Sequence, residues 1–202
     1  MIQSGITVNL AHNLLCSSGW WATNVRENLL PWGLDGVELG DDVLEVGPGF
    51  GATTRILAER LPKLTALELS EDYCRRLRQA VGDRVEVVQG DATALPFEDG
   101  RFSGVVCFTM LHHIPSAERQ DQALREIERV LAPGGLFAGT DSVGKGRLFK
   151  LIHIGDILQL VDPGTFPARL LAAGFSDPVV DAGRSMRWRA RKPTPVPARQ
   201  EP

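Results

Sequence analysis

The chain has 202 residues, 43% of them hydrophobic, and a formal net charge of −3. This length suits a single domain with a sizeable core, and the charge balance gives no electrostatic drive towards nucleic acid or an anionic membrane. No apolar stretch reaches the roughly 18 residues of a membrane-spanning helix, so we expect no membrane span.

Cysteine usage and the N-terminal residues point to a reducing compartment. Cys16, Cys74 and Cys107 are far apart and match no metal-ligand spacing, so we expect small buried or half-buried thiols and no metal site. The first residues lack the basic region and the apolar run of a signal peptide. Together these features predict a cytoplasmic protein.

Residues 1–40 precede the first strand and predict two short helices. The second helix is expected to begin at a cap formed by Ser17 or Ser18 and to end at Pro31. The first helix is indicated by three leucines: Leu10, Leu14 and Leu15. The second is indicated by apolar residues at roughly helical spacing: Trp20, Trp21, Val25 and Leu29. We interpret this segment as a helical cap or lid over the fold.

Strands and helices alternate from residue 42 onwards. Apolar runs predict strands over 42–46, 64–69, 84–88, 102–108 and 136–140. Helices are predicted over 53–61, from the cap Ser70 to Gly82, from the cap Ser116 to the break at Pro133, and over 166–173. Such alternation predicts an α/β fold, with a parallel sheet covered by helices on both faces.

Two further strands, over 179–182 and 185–191, are expected to pair across the turn at Gly183. Alternate side chains of the last strand form an apolar set, Met186, Trp188 and Ala190, and a basic set, Arg187, Arg189 and Arg191. Three arginines on one face are compatible with RNA binding, but we favour the solvated outer face of a sheet strand. The proline-rich residues 193–202 are expected to form a flexible tail.

The carboxyl ends of the strands carry residues with recognisable chemistry. Gly47, Gly49 and Ala52 fit the dinucleotide-binding pattern G-x-G-x-x-G/A. Glu68 follows at the end of the second strand, where a carboxylate can accept both hydroxyls of a ribose. Asp91, after the third strand, is placed to hydrogen-bond an adenine amino group. Because ligands of such sheets bind at this edge, we expect an adenosine-containing ligand.

Five segments in this order resemble a class I S-adenosylmethionine-dependent methyltransferase, closest to the small-molecule branch often called type 11. The segments are VLEVGPGFG (43–51), ALELS (66–70), GDATALPF (90–97), MLHHI (110–114) and LAPGGL (131–136). The resemblance covers residues 40–140 well, and the C-terminal strand pair continues it to about residue 192.

The resemblance implies one Rossmann-like methyltransferase domain over residues 41–192. Its sheet would have seven strands, mostly parallel, in the order 3-2-1-4-5-7-6, with the seventh strand antiparallel between strands five and six. The implied cofactor is S-adenosylmethionine. By position, its binding residues would be Glu45, Gly47, Gly49, Gly51, Glu68, Leu69, Asp91, Ala92, Phe108 and Thr109. Within this set, Glu45 would orient the glycine loop and the cofactor amine.

His112, His113 and Asp141 are the candidate catalytic residues, because the rim of the fourth strand faces the methyl group in this family. Adjacent residues point in different directions, so we expect at most one histidine to reach the substrate; the alternative is that both are structural and cap or hydrogen-bond the loop. Asp141, at the end of the fifth strand, is a third candidate for the pocket wall. Methyl transfer is an in-line displacement on an activated methyl group, so a base is needed only where the nucleophile must lose a proton.

The methyl acceptor is expected to lie under the segments that the fold does not fix, residues 1–40 and 142–164. Their apolar and aromatic side chains favour a small apolar or aromatic molecule as the partner, rather than nucleic acid. The alternative is that these side chains only pack on the sheet or form the surface of a homodimer.

Two other functions are compatible with part of the pattern. An NAD(P)-dependent oxidoreductase would share the glycine loop and Glu68. Against it, the sequence has no Tyr-x-x-x-Lys pair, since Tyr73 is the only tyrosine and is followed four residues later by Leu77. It also leaves Asp91 without a role. A non-catalytic methyltransferase-like module that binds a partner is the second alternative, and the intact cofactor residues argue against it.

Overall fold

The computed structural model describes residues 18–144, 157–183 and 185–195, and seven strands in these ranges form one sheet. The strands are β1 (Asp42–Val46), β2 (Lys63–Glu68), β3 (Glu86–Gln89), β4 (Phe102–Phe108), β5 (Leu131–Ser142), β6 (Ser176–Ala182) and β7 (Ser185–Arg191). Their order is β3-β2-β1-β4-β5-β7-β6, and only β7 runs antiparallel to its neighbours. The predicted fold class and strand order are confirmed.

Helices cover both faces of the sheet. They are α1 (19–33), α2 (Ala52–Arg60), α3 (Glu71–Val81), α4 (Ala117–Val130) and α5 (Phe166–Ala172). One apolar core lies under α4 and α5, and a second lies under α1, α2 and α3. Strand β1 contributes to both cores, because Leu44 belongs to the first and Val43 to the second. This two-sided burial explains why the central strands are continuous apolar runs.

Local signals place the helices that frame the strand ends. The backbone N–H of Tyr73 donates to the Ser70 hydroxyl at the start of α3, and the N–H of Arg119 donates to Ser116 at the start of α4. Helix α3 ends at Gly82, whose φ of +58° is open to glycine at little cost. Both predicted caps and this helix end are confirmed.

Helix α1 differs from the prediction because it continues through Pro31 to Gly33. It begins at the cap Ser18 and changes to a π-helical turn over Val25–Leu29, in which the N–H of Leu30 donates to the carbonyl of Val25. Pro31 then stands in the first turn of the last α-helical segment, Leu30–Gly33. A proline needs no N–H partner at that place, so the helix accommodates it instead of ending there.

Strand β5 also starts earlier than predicted, at Leu131 instead of residue 136. Leu131 pairs with Phe102 and Leu136 pairs with Gly104, so the residues between them form a bulge inside the strand. The bulge is held from the far side, because the N–H of Gly134 donates to the carbonyl of Lys192 and the N–H of Lys192 donates to the carbonyl of Gly135. The Pro-Gly-Gly turn therefore bends the chain without breaking its pairing.

Smaller differences concern β3 and β6. A 3₁₀ turn over Gly82–Arg84 delays β3 to Glu86, and β6 starts at Ser176 instead of residue 179. In β7 the predicted alternation is confirmed: the apolar set is buried, Arg189 and Arg191 are exposed, and Arg187 is half-buried. One arginine of this set is covered, since Arg187 donates to the Trp32 carbonyl at 2.6 Å and so holds the end of α1.

Several predictions lie outside the described residues: the first helix, Cys16, most of the insert at 142–164 and most of the tail. Cys74 and Cys107 are buried free thiols, as expected. The division of the chain at residues 40 and 192 stays a prediction. In the ranges that the structure describes, no helix is both long enough and apolar enough to cross a membrane.

Candidate functional site

A cavity opens at the carboxyl ends of β1, β2, β3 and β4, and α1 forms one of its sides. Most of the residues predicted to bind the cofactor line it: Gly47, Gly49, Glu68, Leu69, Asp91, Ala92, Phe108 and Thr109. His113 belongs to the same wall. Four predicted site residues are not part of the lining: Glu45, Gly51, His112 and Asp141. The cavity lies where a parallel sheet of this order binds its ligands.

The glycines of the loop after β1 have two different roles: two pack tightly against side chains, and one leaves open space. At Gly47, with φ +71°, a Cβ atom would lie 2.2 Å from Met110 Cγ, and at Gly51, with φ +73°, 2.3 Å from Leu77 Cδ1. These two positions are glycine because the backbone turns tightly against packed side chains. At Gly49, with φ +55°, no atom lies within 4 Å of the Cβ position. Gly49 therefore leaves open space for a ligand beside the main chain.

Glu68 ends β2 with its carboxylate held by two backbone groups. The N–H of Gly49 donates to Oε2 at 3.1 Å and the N–H of Ser70 donates to Oε1 at 2.9 Å. Burial raises the pKa of Glu68, and these backbone hydrogen bonds act in the opposite direction. A carboxylate has about four lone-pair sites, so two remain for donors such as vicinal ribose hydroxyls.

Asp91 stands at the end of β3 with both carboxylate oxygens engaged. Thr93 donates to Oδ1 from its N–H and from its hydroxyl, each at 2.8 Å, and the Arg119 guanidinium donates to Oδ2 at 2.9 Å. Leu69 and Ala92 line the cavity beside these two carboxylates. Polar edges next to apolar side chains are the environment that a purine base requires.

Glu45 lies two residues before Gly47, where the loop begins, and is almost fully buried, with 1% of its surface exposed. The Thr53 hydroxyl donates to its Oε1, while Oε2 has no hydrogen-bond partner among the described residues. Burial raises the pKa of Glu45 to about 7, against the lowering effect of the Thr53 hydroxyl. A buried carboxyl oxygen without a donor is costly, and that cost disfavours the ionised form of Glu45.

Thr109, directly after β4, has a left-handed backbone with φ +51°. Its N–H donates to the Thr140 carbonyl at 2.7 Å, and the residue lines the cavity. A β-branched residue is strained in this region of φ, by about 1–2 kcal/mol. Such strain is often kept where a loop must present its groups to a ligand.

The two histidines after β4 have different environments. His112 is 3% exposed, its Nδ1 pairs with an oxygen of Asp141, and its N–H donates to Asp141 Oδ2 at 3.1 Å. Asp141, expected in the pocket wall, is 1% exposed and is not part of the cavity lining, and β5 continues past it to Ser142. His113 forms part of the cavity wall, and its ring centroid lies 4.1 Å from that of His112.

Sequence reasoning missed an aromatic pair at the cavity. The rings of Phe50 and Tyr73 lie 4.8 Å apart, and both line the wall. Tyr73 follows the cap Ser70 by three residues, which places it in the first turn of α3 and therefore near the strand ends. That spacing was the available signal. Among the described residues, no cluster of three or more His, Cys, Asp or Glu side chains is arranged to hold a metal ion.

The sheet order and the cavity together define an α/β protein with the class I methyltransferase fold. A family model described as "Methyltransferase domain" matches residues 44–139. That part of the chain is therefore similar in sequence to a methyltransferase domain. The match begins in β1 and ends in β5, so it spans every strand end that lines the cavity.

Named relatives share this domain. A fatty-acid O-methyltransferase of Mycolicibacterium smegmatis is 43% identical over 108 residues, which cover 51% of this chain and 38% of the relative. A ribosomal RNA small subunit methyltransferase A of Cupriavidus pinatubonensis is 52% identical over 147 residues, which cover 63% of this chain and 51% of the relative. The chain thus spans about half the length, or less, of these curated relatives.

One solved structure illustrates the likeness in fold. It is an S-adenosylmethionine-dependent methyltransferase from Mesorhizobium loti, with a TM-score of 0.65 at 19% identity, covering 76% of this chain and 92% of that one. This likeness concerns the fold alone.

Proposed function

We propose that the protein transfers a methyl group from S-adenosylmethionine to a small apolar or aromatic acceptor. The observation that carries the proposal is one continuous cavity with two different ends. Glu68 and Asp91 lie at the end formed by β2 and β3, and the loop glycines and His113 lie towards β1 and β4. A donor nucleotide and an acceptor can thus share one enclosure.

The donor end offers a group for each part of S-adenosylmethionine. Glu68 would accept the ribose hydroxyls, and Asp91 would accept a hydrogen bond from the adenine amino group. The space at Gly49 would admit the aminoacyl part against the backbone. Leu69 and Ala92 would pack on the base. When bound, the sulfonium supplies a methyl group that is already electrophilic.

The acceptor end is predominantly apolar. Its wall includes Trp21, Val25 and Leu29 of α1 and, at the end of β4, Phe108 and Met110. No Lys or Arg belongs to this wall in the described part of the chain. An uncharged apolar or aromatic molecule fits such a surface best.

His113 is the side chain best placed to take a proton from the acceptor. It is the histidine in the cavity wall, and it precedes the turn into α4. His112 and Asp141 would act behind it by fixing the loop, since their paired side chains are buried. The protein's other contribution would be to align nucleophile, methyl group and sulfur and to exclude water.

Calorimetry with S-adenosylhomocysteine tests the donor site, and the variant Glu68→Ala sharpens the test. We expect binding to weaken by about 10- to 100-fold, because the ribose would lose charge-assisted hydrogen bonds. Glu71→Ala, which removes an exposed carboxylate three residues away, is the matched control. Equal affinity of Glu68→Ala and the native protein would refute the ribose assignment.

Transfer is tested with labelled S-adenosylmethionine and fractionated metabolites. Label in an apolar small-molecule fraction is the expected result. Cofactor binding without transfer to any fraction would favour the non-catalytic module, and tight NADH binding without S-adenosylhomocysteine binding would favour an oxidoreductase.

RNA is the second acceptor to be tested, because one relative's name specifies ribosomal RNA. The chain's net charge of −3 and the absence of Lys or Arg from the described cavity wall favour a small molecule instead. A small-subunit ribosomal RNA fragment in the same labelling assay separates the two: label in RNA would overturn the small-molecule acceptor. A homodimer that completes the acceptor end is a further part of the proposal, tested by light scattering.

A further inference from the structure

Asp91 is held more firmly than a turn aspartate requires. Its Oδ1 accepts the N–H and hydroxyl of Thr93, which alone would fix the turn. Its Oδ2 accepts a further hydrogen bond, at 2.9 Å, from Arg119, a residue of another element 28 positions away in the chain. The Thr93 carbonyl is held as well, by the side-chain amide of Gln122. The turn is thus fixed from both sides.

Arg119 reaches this turn from the first turn of α4. The cap Ser116 fixes the start of that helix by accepting the N–H of Arg119 itself. From there one terminal nitrogen, Nη2, reaches Asp91 Oδ2 at 2.9 Å and the Thr93 hydroxyl at 3.2 Å. Helix α4 follows the histidine loop by a few residues. The guanidinium therefore links the end of β3 to the segment that leaves the β4 rim.

We propose that Arg119 is a positioning residue that aims the Asp91 carboxylate at the exocyclic amino group of the donor's base. This inference rests on the proposed function, because it takes Asp91 as the group that reads the base. Three donors from Thr93 and Arg119 already fix the two oxygens of this carboxylate, and its remaining lone pair is an acceptor. It would accept a 6-amino group and repel a 6-carbonyl oxygen.

The ion pair adds little to folding. The side chains of Arg119 and Asp91 are 49% and 40% exposed, and pairs this exposed contribute little to stability. The hydrogen bond from Arg119 to Asp91 is nonetheless short and charge-assisted, and it favours one orientation of the carboxylate. Loss of Arg119 is therefore expected to affect which base is bound and to leave the fold intact.

The test compares two ligands on the full chain by calorimetry. They are S-adenosylhomocysteine and its deaminated analogue S-inosylhomocysteine, which carries a carbonyl oxygen in place of the amino group. For the native protein we expect a preference for the adenosyl ligand of about tenfold or more, because the carbonyl oxygen of the inosyl ligand would face the carboxylate where the amino group donates a charge-assisted hydrogen bond. In Arg119→Gln we expect about tenfold weaker adenosyl binding and a smaller preference, since the carboxylate can rotate.

Two further variants distinguish positioning from a general effect of charge. Arg119→Lys keeps the cation and is expected to recover part of the preference. Arg125→Gln removes an exposed arginine of the same helix and is expected to behave like the native protein. Thermal melting of all variants checks the fold.

Each outcome bears on a different claim. If the native protein binds neither ligand, the proposed function fails. If it binds the adenosyl ligand and Arg119→Gln keeps both affinity and preference, the donor site stands and Arg119 has no positioning role. If Arg125→Gln loses the adenosyl preference as much as Arg119→Gln does, the preference depends on the net charge of α4 and not on the contact with Asp91. That result also overturns the inference.

Discussion

The buried carboxyl of Glu45 makes the stability of the protein depend on pH in a predictable direction. Its pKa is raised from 4.5 to about 7, with burial as the main cause. A group whose pKa is higher in the folded than in the unfolded state adds stability at low pH and loses it as the pH rises through the folded value. The difference between the folded and unfolded pKa values lowers the free energy of unfolding by about 3 kcal/mol once Glu45 is ionised in both states.

Glu45→Gln removes the charge and keeps the shape, so the Thr53 hydroxyl can still donate to the side-chain oxygen. The new amide group has no acceptor at the former Oε2 position among the described residues, which costs about 1–3 kcal/mol at every pH. The informative quantity is therefore the pH dependence of the difference between variant and native protein. From about pH 5 to about pH 8.5 we expect that difference to move by about 2.5 kcal/mol in favour of glutamine.

Urea unfolding of both proteins across this pH range measures the effect, with Glu59→Gln as the control for removal of an exposed carboxylate. Parallel stability curves for native protein and Glu45→Gln would refute the reasoning, because Glu45 would then titrate alike in the folded and unfolded chains. A second readout concerns function. If the carboxylate faces the amine of the donor, Glu45→Gln should bind S-adenosylhomocysteine more weakly although it is relatively more stable at high pH.

The remaining predictions concern the rim of β4. His113→Gln is expected to lower the transfer rate by about 10²–10⁴ for an acceptor that must lose a proton, with S-adenosylhomocysteine affinity kept; single-turnover kinetics and calorimetry measure the two, and an unchanged rate would remove His113 as the base. Thr109→Gly is expected to relieve the strain at φ +51° and raise the free energy of unfolding by up to about 1 kcal/mol, measured by urea unfolding. Ala94→Gly, at an exposed loop position, is expected to destabilise instead, and equal effects of both changes would argue against strain at Thr109.

Much of the fold was predictable because local and global signals agree. The caps Ser70 and Ser116 and the left-handed Gly82 mark helix boundaries through contacts within a few residues. Each central strand is an apolar run, as burial on both faces requires. The strand order, in contrast, came from the resemblance, because a pattern of alternating elements does not by itself place β7 between β5 and β6.

The errors arose where distant residues decide a local structure. Pro31 ends a helix in an ordinary α-helical pattern, but a π-helical turn before it changes which N–H groups need partners. The Pro-Gly-Gly sequence predicts that β5 starts only after it. Backbone hydrogen bonds between this turn and Lys192, near the other end of the chain, keep the turn within the strand. Asp141 lies near the end of β5 as predicted, but the sequence pattern does not reveal its buried contact with His112.

The contact between Gly47 and Met110 has a consequence for engineering this chain. The two residues belong to the loops after β1 and β4, and a Cβ on Gly47 would lie 2.2 Å from Met110 Cγ. Enlarging or branching Met110 to reshape the acceptor end would therefore push on the glycine loop and weaken the donor site as well. Val25 and Leu29 of α1 also line the cavity and are not among the nearest atoms to a Cβ on Gly47, so new acceptors are better sought by substitutions there.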